Sequence, residues 1–364
     1  MTNTTPTKLR MAVLGLGRMG LRHASNVAYH VPRAELVAGA DAYGPSLAKA
    51  KEVLPPGIHL TTSYQEILNM PDIDAVLIAT ETASHAQLTI DAVKAGKHVL
   101  LEKPISISVD AARPVLEVVR KHPEIQVMVG FCRRFDESYQ YAARLAHSGE
   151  LGKTYLIKSA SNDTYHPTGF FVQYAKHSGG IWIDAGIHDI DGARWLLDVA
   201  NPKSLSNPKK QVSYVYASGA IIRHPGLAEH GDVDSAQAII NFENGTSCNI
   251  HASRTSMHGH DIFCEVFGTE SKLYVNPIPA VNKVQIRDRY GVRNETTMSF
   301  LDRFKEAFVN EVNEFVAAVL DSKPMPVTVE DAFQASQIAV ALTWSMRHNK
   351  PVFFDDEGEP ILRD

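Results

Sequence analysis

The 364-residue sequence has only three cysteines, Cys132, Cys248 and Cys264, far apart and without a CxxC pair. Such spacing offers neither a disulfide framework nor a zinc knuckle, and it fits a reducing, intracellular setting. No apolar run is long enough to span a bilayer, and the polar opening MTNTTPTKLR lacks the apolar core of a secretory signal. A cytoplasmic location with no membrane partner is the expectation. A basic excess is missing too: the formal charge is -5, which removes the electrostatic argument for a nucleic-acid or anionic-membrane partner. The one basic cluster, Lys203 with Lys209 and Lys210, sits among Asn, Ser and Pro and reads as a solvated loop. There is no internal repeat and no low-complexity segment. What is present is a globular composition, 44% hydrophobic and 21% charged, over a length that exceeds one ordinary core and predicts two domains.

Through residue 131, short Val-, Ile- and Leu-rich runs alternate with helix-length amphipathic stretches, which predicts βαβ units. The runs RMAVLGL, AELVAGAD, IHLTT, DAVLIAT, HVLLE and IQVMVGF are nearly continuous in apolar residues, as strands are when a parallel sheet is covered on both faces. Six of them make a doubly wound α/β sheet over residues 1–131. Ser63 with Glu66 has the capping-box pattern, and Gly96 closes a helix begun near His85. Residues 132–364 carry longer alternating segments such as KTYLIKSASN and AQAIINFENGTSCNIHA, with Asn244-Gly245 as the clearest hairpin turn. An α+β domain on a large, open, mostly antiparallel sheet is expected there. A helical stretch from about Asp184 to Asp198 interrupts it, and two amphipathic helices around Pro324-Met325-Pro326 close the chain, the last able to pack back on the first domain.

VLGLGRMG places Gly15, Gly17 and Gly20 directly after the first strand and at the opening of a helix. In a dinucleotide site the first glycine allows the tight turn, the second lets backbone approach a pyrophosphate, and the third lets helix pack on strand. Asp41 ends the second strand, 21 residues past Gly20, where a carboxylate accepts hydrogen bonds from both ribose hydroxyls and repels a 2′-phosphate. NAD is therefore expected over NADP, with a turn-capping aspartate as the plain alternative.

LLEKPIS ends the fifth strand at the carboxyl edge of the sheet, where ligands of such folds bind. Pro104 biases Lys103 toward extended backbone, and Glu102 either pairs with Lys103 or contacts the nicotinamide ribose. In SGGIWIDAGIHDIDGARWLL, Asp184 and His188 are four apart and share one face if the segment is helical. A histidine with a supporting carboxylate suits removal of a hydroxyl proton. The other readings are that Asp184 caps the helix, or that the pair binds metal with Asp189 and Asp191. Asp163 ends a strand and either binds a polyol hydroxyl or makes a turn. His258 and His260 in SMHGHD have no acidic or cysteine partner at ligand spacing, so no metal is expected.

AGKHVLLEKPIS, residues 95–106, resembles the signature of the glucose-fructose oxidoreductase, inositol dehydrogenase and MocA family of NAD(P)-dependent enzymes. The resemblance extends over the glycine loop, TETASHAQL, GFCRRF, GGIWIDAGIHDID and the closing SKPMPVTVEDAFQASQIAVAL. It implies an N-terminal Rossmann domain, residues 1–131, followed by residues 132–364, whose open sheet carries substrate on one side and a subunit partner on the other. A homodimer or homotetramer is the corresponding expectation. The family's catalytic lysine, aspartate and histidine fall on Lys103, Asp184 and His188. Arg133, in a Gly-Phe-x-Arg-Arg-aromatic run like that of inositol dehydrogenases, is implied to lie near substrate, with a helix-start ion pair as the alternative. Arg18, Met19, Thr80, His85 and Glu102 join the glycines, Asp41 and Lys103 as the implied cofactor residues. Thr80-Glu81-Thr82 departs from the Thr-Pro-Asn of many relatives, whose Asn makes a nicotinamide-side contact. The implied reaction is NAD-dependent oxidation of a secondary hydroxyl of a cyclic polyol, myo-inositol at C2 leading. An aldose or anhydrosugar is the rival substrate, and a non-catalytic dinucleotide-binding regulator is the rival class.

Overall fold

The computed structural model describes residues 8–363; the polar opening read above for a targeting signal falls mostly in residues 1–7, outside the described residues. The chain divides into two compact units, Met1–Phe135 with Glu306–Phe333, and Asp136–Lys305 with Gln334–Asp364. The first unit thus takes in a segment from near the end of the chain.

In the first unit the order is β1 (Leu9–Leu14), α1 (Arg18–His30), β2 (Ala34–Ala40), α2 (Gly44–Val53), β3 (His59–Thr61), α3 (Tyr64–Leu68), β4 (Ala75–Ile78), α4 (Thr82–Lys94), β5 (His98–Glu102), α5 (Val109–Lys121) and β6 (Val127–Gly130). The six strands lie in the order β3-β2-β1-β4-β5-β6, every pair parallel. Strand order reverses between β1 and β4, and that switch point opens the crevice in which such sheets bind ligands. Ala75, Val76, Leu77 and Ile78 of β4 are all fully buried, the reason the run is apolar at every position and not at alternate ones. Gly96 follows α4 at φ +75, the left-handed cap that glycine adopts without a Cβ penalty. The capping box at α3 forms only by half. Ser63 accepts the Glu66 amide, but the Glu66 carboxylate turns to the Thr61 hydroxyl (2.6 Å) and His59 (2.7 Å).

The second unit begins with α6 (Glu137–Ser148), whose Asp136 cap accepts the Ser138 and Tyr139 amides and pairs with Arg303 at 2.7 Å. It continues through β7 (Thr154–Thr164), α7 (Phe170–Ser178), a π-helical turn (Trp182–Gly186), α8 (Ile187–Leu196), β8 (Val212–Ala220), β9 (Ser235–Phe242), β10 (Ser247–Ser256), β11 (Asp261–Gly268) and β12 (Lys272–Val275). After the ribbon β13 (Gln285–Asp288) and β14 (Gly291–Asn294) come α9 (Phe300–Arg303), α10 (Lys305–Leu320), α11 (Val329–His348) and β15 (Val352–Phe353). The unit boundaries cut through α10 and α11. The large sheet runs β12-β11-β7-β10-β9-β8-β15, antiparallel at every pair except β7 with β10. That exception follows from the long excursion between them, since parallel neighbours need a crossover and not a hairpin. Along β9, Ala236, Ala238, Ile240 and Phe242 are buried while Gln237 and Ile239 are exposed, the alternation of a sheet with one covered face. Gly245 turns the β9-β10 hairpin at φ +81. All three cysteines are buried and unbridged. No helix of the described residues is long and apolar enough to cross a membrane.

Helix α1 sits so close to the sheet that a Cβ on Gly20 would lie 1.8 Å from the Gly15 carbonyl oxygen. Gly20→Ala must therefore push the helix off the glycine loop. A loss of about 2 kcal/mol or more is expected from overpacking of this kind, measured as a lower midpoint in thermal or denaturant unfolding together with weaker NAD binding.

Candidate active site

The glycine loop leaves β1 with Gly15 at φ +87, where a Cβ would meet the Ala79 carbonyl at 2.6 Å. Gly17 caps α1 without a side-chain bond, and a Cβ there would meet nothing within 4 Å. The space beside Gly17 at the start of α1 is thus open, and Arg18 and Met19 follow as the first helical residues. Unsatisfied amides at a helix start, with no side chain in the way, suit a pyrophosphate. Asp41 holds this loop from the side. Its Oδ2 accepts the Leu16 amide at 2.7 Å and its Oδ1 the Tyr43 amide at 2.8 Å. The turn-capping reading of Asp41 is realised, and it leaves each oxygen a further lone pair for a ribose hydroxyl. These residues fit a dinucleotide.

Thr80 follows β4 and shares a hydrogen bond with Ser84 at 2.7 Å. His85 is buried, with Nδ1 2.7 Å from the Pro104 carbonyl oxygen and Nε2 3.2 Å from that of Thr80. Burial, the largest effect, lowers its pKa against the pull of the two carbonyls, so the ring is neutral and has one N–H to give. The shorter contact marks Nδ1 as the donor. His85 therefore ties the loop after β5 to the loop after β4, and so sets the segment that bears Lys103. The Lys103-Pro104 peptide is cis.

Glu102 has partners that the sequence reading did not consider. Its Oε1 lies 2.8 Å from Nε2 of the fully buried His23 on α1, and its Oε2 accepts the backbone amide of Lys103 at 3.2 Å. The buried carboxyl of Glu311 joins them, the three side chains bringing polar atoms within 4.8 Å of one another. His23 Nε2 and Glu102 Oε1 form a hydrogen-bonded pair with a second carboxyl against it, while His23 Nδ1 is buried with no hydrogen-bond partner among the described residues. Arg133, in a helical turn directly after β6, is buried.

In the second unit, helical backbone runs unbroken through Asp184, in the π turn, and His188, in α8. The two are one turn apart, and π turns of this kind recur at functional sites. Asp184 is gripped from both sides: Oδ1 accepts the Tyr174 hydroxyl at 3.1 Å, and Oδ2 lies 3.3 Å from Nη2 of Arg254. Arg254 is fully buried, its Nη1 3.1 Å from Asp232 and its guanidinium 5.1 Å over the Phe171 ring. The sequence reading missed Arg254, although the signal was there. It has the parity of the buried Cys248, Ile250 and Ala252 of β10, and a cation on a core-facing phase must have a partner. Asp189, considered as a metal ligand beside His188, instead accepts the hydroxyls of Ser159 and Ser161, and Asp191 faces Arg194 at 3.8 Å. Asp163, near the end of β7, pairs with the buried His260 at 3.1 Å. His258 pairs with Asp261 at 3.2 Å, so both histidines of SMHGHD have an acidic partner, one of them supplied by the fold from 97 residues away.

Residues 9–131 match the oxidoreductase family, NAD-binding Rossmann fold, and residues 144–354 match the C-terminal alpha/beta domain of the same family. The chain belongs to the glucose-fructose oxidoreductase, inositol dehydrogenase and MocA family. It is an NAD-dependent oxidoreductase acting on CH–OH groups. It is 37% identical to the scyllo-inositol 2-dehydrogenase (NAD(+)) of Bacillus subtilis, covering 96% of this chain and 97% of that protein. It is 29% identical to the myo-inositol 2-dehydrogenase of Thermotoga maritima, over 96% and 99%. Among solved structures, the scyllo-inositol dehydrogenase of Lactobacillus casei with bound NAD(H) and scyllo-inositol has 32% identity and a TM-score of 0.87, covering 95% and 99% of the two chains.

Because Asp41 is followed by Ala42 and Tyr43 and not by an arginine, NAD is expected to exceed NADP in kcat/KM by about 100-fold, the scale of one or two charge-assisted hydrogen bonds at about 1.5–3 kcal/mol each. Asp41→Ser should bring the two cofactors to within about 10-fold of each other, chiefly through loss of NAD. Steady-state kinetics with both cofactors measures this.

Proposed function

We propose that this chain oxidises an inositol at C2, with NAD as hydride acceptor. The observation that carries the reading is Asp184, held between Tyr174 and Arg254 one helical turn before His188, in a chain that also places Lys103 directly after β5. His188 takes the proton of the substrate hydroxyl, and Asp184, kept in place by its two partners, orients and supports the resulting cation. Lys103 donates to the same substrate oxygen and stabilises the alkoxide as it develops. NAD, when bound, supplies the carbon that receives hydride. Arg133 and Asp163 are assigned to hydroxyls away from the reacting carbon. We read residues 1–131 as the NAD-binding domain and residues 132–364 as the substrate-binding and oligomerisation domain, acting in the cytoplasm.

The similarity to both scyllo- and myo-inositol 2-dehydrogenases supports the substrate class. Oxidation of either epimer at C2 gives the same ketone, so the two differ only in which face of the ring presents its hydrogen. With myo-inositol, scyllo-inositol, glucose, galactose and xylose in one NADH-forming assay, an inositol is expected to lead the aldoses in kcat/KM by about 10-fold or more, about 1.4 kcal/mol. Lys103→Met should lower the inositol rate by about 10²-fold or more. NAD binding without turnover of any of the five would favour a regulator.

The outer face of the large sheet exposes Tyr155, Tyr214, Ile239, Tyr274 and Phe353 by more than a third each. Aromatic and apolar side chains at this density on one face of a sheet support burial against a second copy of the chain. Light scattering of the purified protein is expected to return the mass of a dimer or tetramer, and Ile239→Lys with Phe353→Lys to shift it toward the monomer.

A further inference from the structure

We infer that His23 and Glu311 are positioning residues for Lys103, keeping Glu102 as a buried carboxylate that grips the Lys103 backbone. This rests on the role proposed for Lys103 above. A lysine reaches its target on a flexible four-carbon stem, so the placement of its ammonium is only as good as the anchoring of its own backbone. That anchor is the 3.2 Å bond from the Lys103 amide to Glu102. Glu102 is in turn set by His23, whose Nε2 lies 2.8 Å from its other oxygen. His23 is locked by full burial and by an edge-on contact with Phe308 of α10, 5.7 Å between centroids and 89° between planes.

Glu311, also from α10, completes the arrangement. It is 1% exposed, and its Oε2 has no hydrogen-bond partner among the described residues. Its Oε1 occupies space beside Gly130, where a Cβ would come within 2.9 Å, and Gly130 is the residue of β6 paired with Glu102. The glycine makes room for the second carboxyl. Two carboxyls at this separation in dry surroundings do not both ionise. Burial first, and then the charge of Glu102, push Glu311 well above the ordinary carboxylate range. For Glu102 burial also opposes the charge, but the His23 hydrogen bond and then the charges of His23 and Lys103 outweigh it and hold the group below its usual value. The pair therefore shares one proton, which sits on Glu311. The remaining groups facing the pair come from the turn after β6. There the Cys132 thiol is pushed up, by burial and then by both glutamates, so it adds no anion, and Arg133 adds a cation. His85 on α4 is neutral, as above.

The sign of the pH effect follows. Removing the His23 hydrogen bond lets Glu102 take up a proton at higher pH, and protonated Glu102 no longer supports the Lys103 segment in the same way. His23→Leu is expected to move the acidic limb of the kcat profile up by about one pH unit, the scale of one charge-assisted hydrogen bond. Its kcat at neutral pH should fall about 10-fold, with the NAD dissociation constant changed less than about 3-fold. His23→Gln, which restores an N–H donor, should return the limb. Glu102→Gln, which cannot titrate, should leave only the limb that His188 imposes as the base, and this variant serves if His23→Leu fails to fold. Independently of activity, infrared spectra of the wild-type protein at neutral pH should contain a buried carboxylic-acid C=O band that Glu311→Gln, an isostere of the protonated acid, abolishes. A His23→Leu profile that superimposes on wild type, absence of the band, or one equivalent of divalent metal in the purified protein in place of the proton would each overturn the inference. If Lys103→Met stays fully active, the reading of Lys103 fails. If Lys103→Met is inactive while His23→Leu leaves the limb in place, only the present inference fails.

Discussion

The approach of α1 to the glycine loop is the constraint from which the rest of the nucleotide-binding unit follows. With a Cβ position 1.8 Å from the Gly15 carbonyl, Gly20 admits no other side chain. The helix lies close on the glycine loop, and its first turn opens beside Gly17, where a Cβ would meet nothing within 4 Å. The same closeness places His23, less than one turn further along, against Glu102 at the end of β5. Cofactor loop and lysine segment are thus tied through one helix, and a displacement of α1 reaches both.

The second unit is organised around a buried charge. Arg254 points into the covered face of the sheet, on the side of Cys248, Ile250 and Ala252, and an unpaired guanidinium there would be prohibitively costly. It is answered by Asp232 and Asp184. Asp184 is therefore committed to one orientation before any substrate arrives, with Tyr174 completing its hydrogen bonding. A fixed orientation of this kind is what the role proposed for Asp184 beside His188 requires. The π turn that carries Asp184 leads directly into the α-helix that carries His188.

Much of this was legible in the chain itself. The central parallel strands announce themselves because burial on both faces leaves runs such as β4 apolar at every position. The hairpin at Asn244-Gly245 and the left-handed Gly96 cap were also readable, since glycine there answers a local backbone need. Local patterns were less secure wherever a side chain had a choice of partner. Glu66 left its own helix cap for Thr61 and His59. His258 and His260 looked partnerless by spacing, yet Asp163 reaches His260 across the sheet. Glu102 was weighed against Lys103 and the nicotinamide ribose, and the fold adds a histidine from the first helix and a glutamate from near the end of the chain.

By itself the sequence determined what repeats locally: strand and helix periods, the glycine loop, the acidic end of β2, and the lysine and the Asp-His pair that mark the family. Those features depend on backbone conformation and on residues a few positions apart, so one dimension carries them. The charge pairing was decided only by the tertiary structure. Which carboxylate meets Arg254, which histidine meets Glu102, and which of two glutamates holds the proton depend on burial and on distances between segments remote in the chain. Electrostatic energy is set by separation in space and by the water excluded from it, and neither quantity is written in the order of the residues.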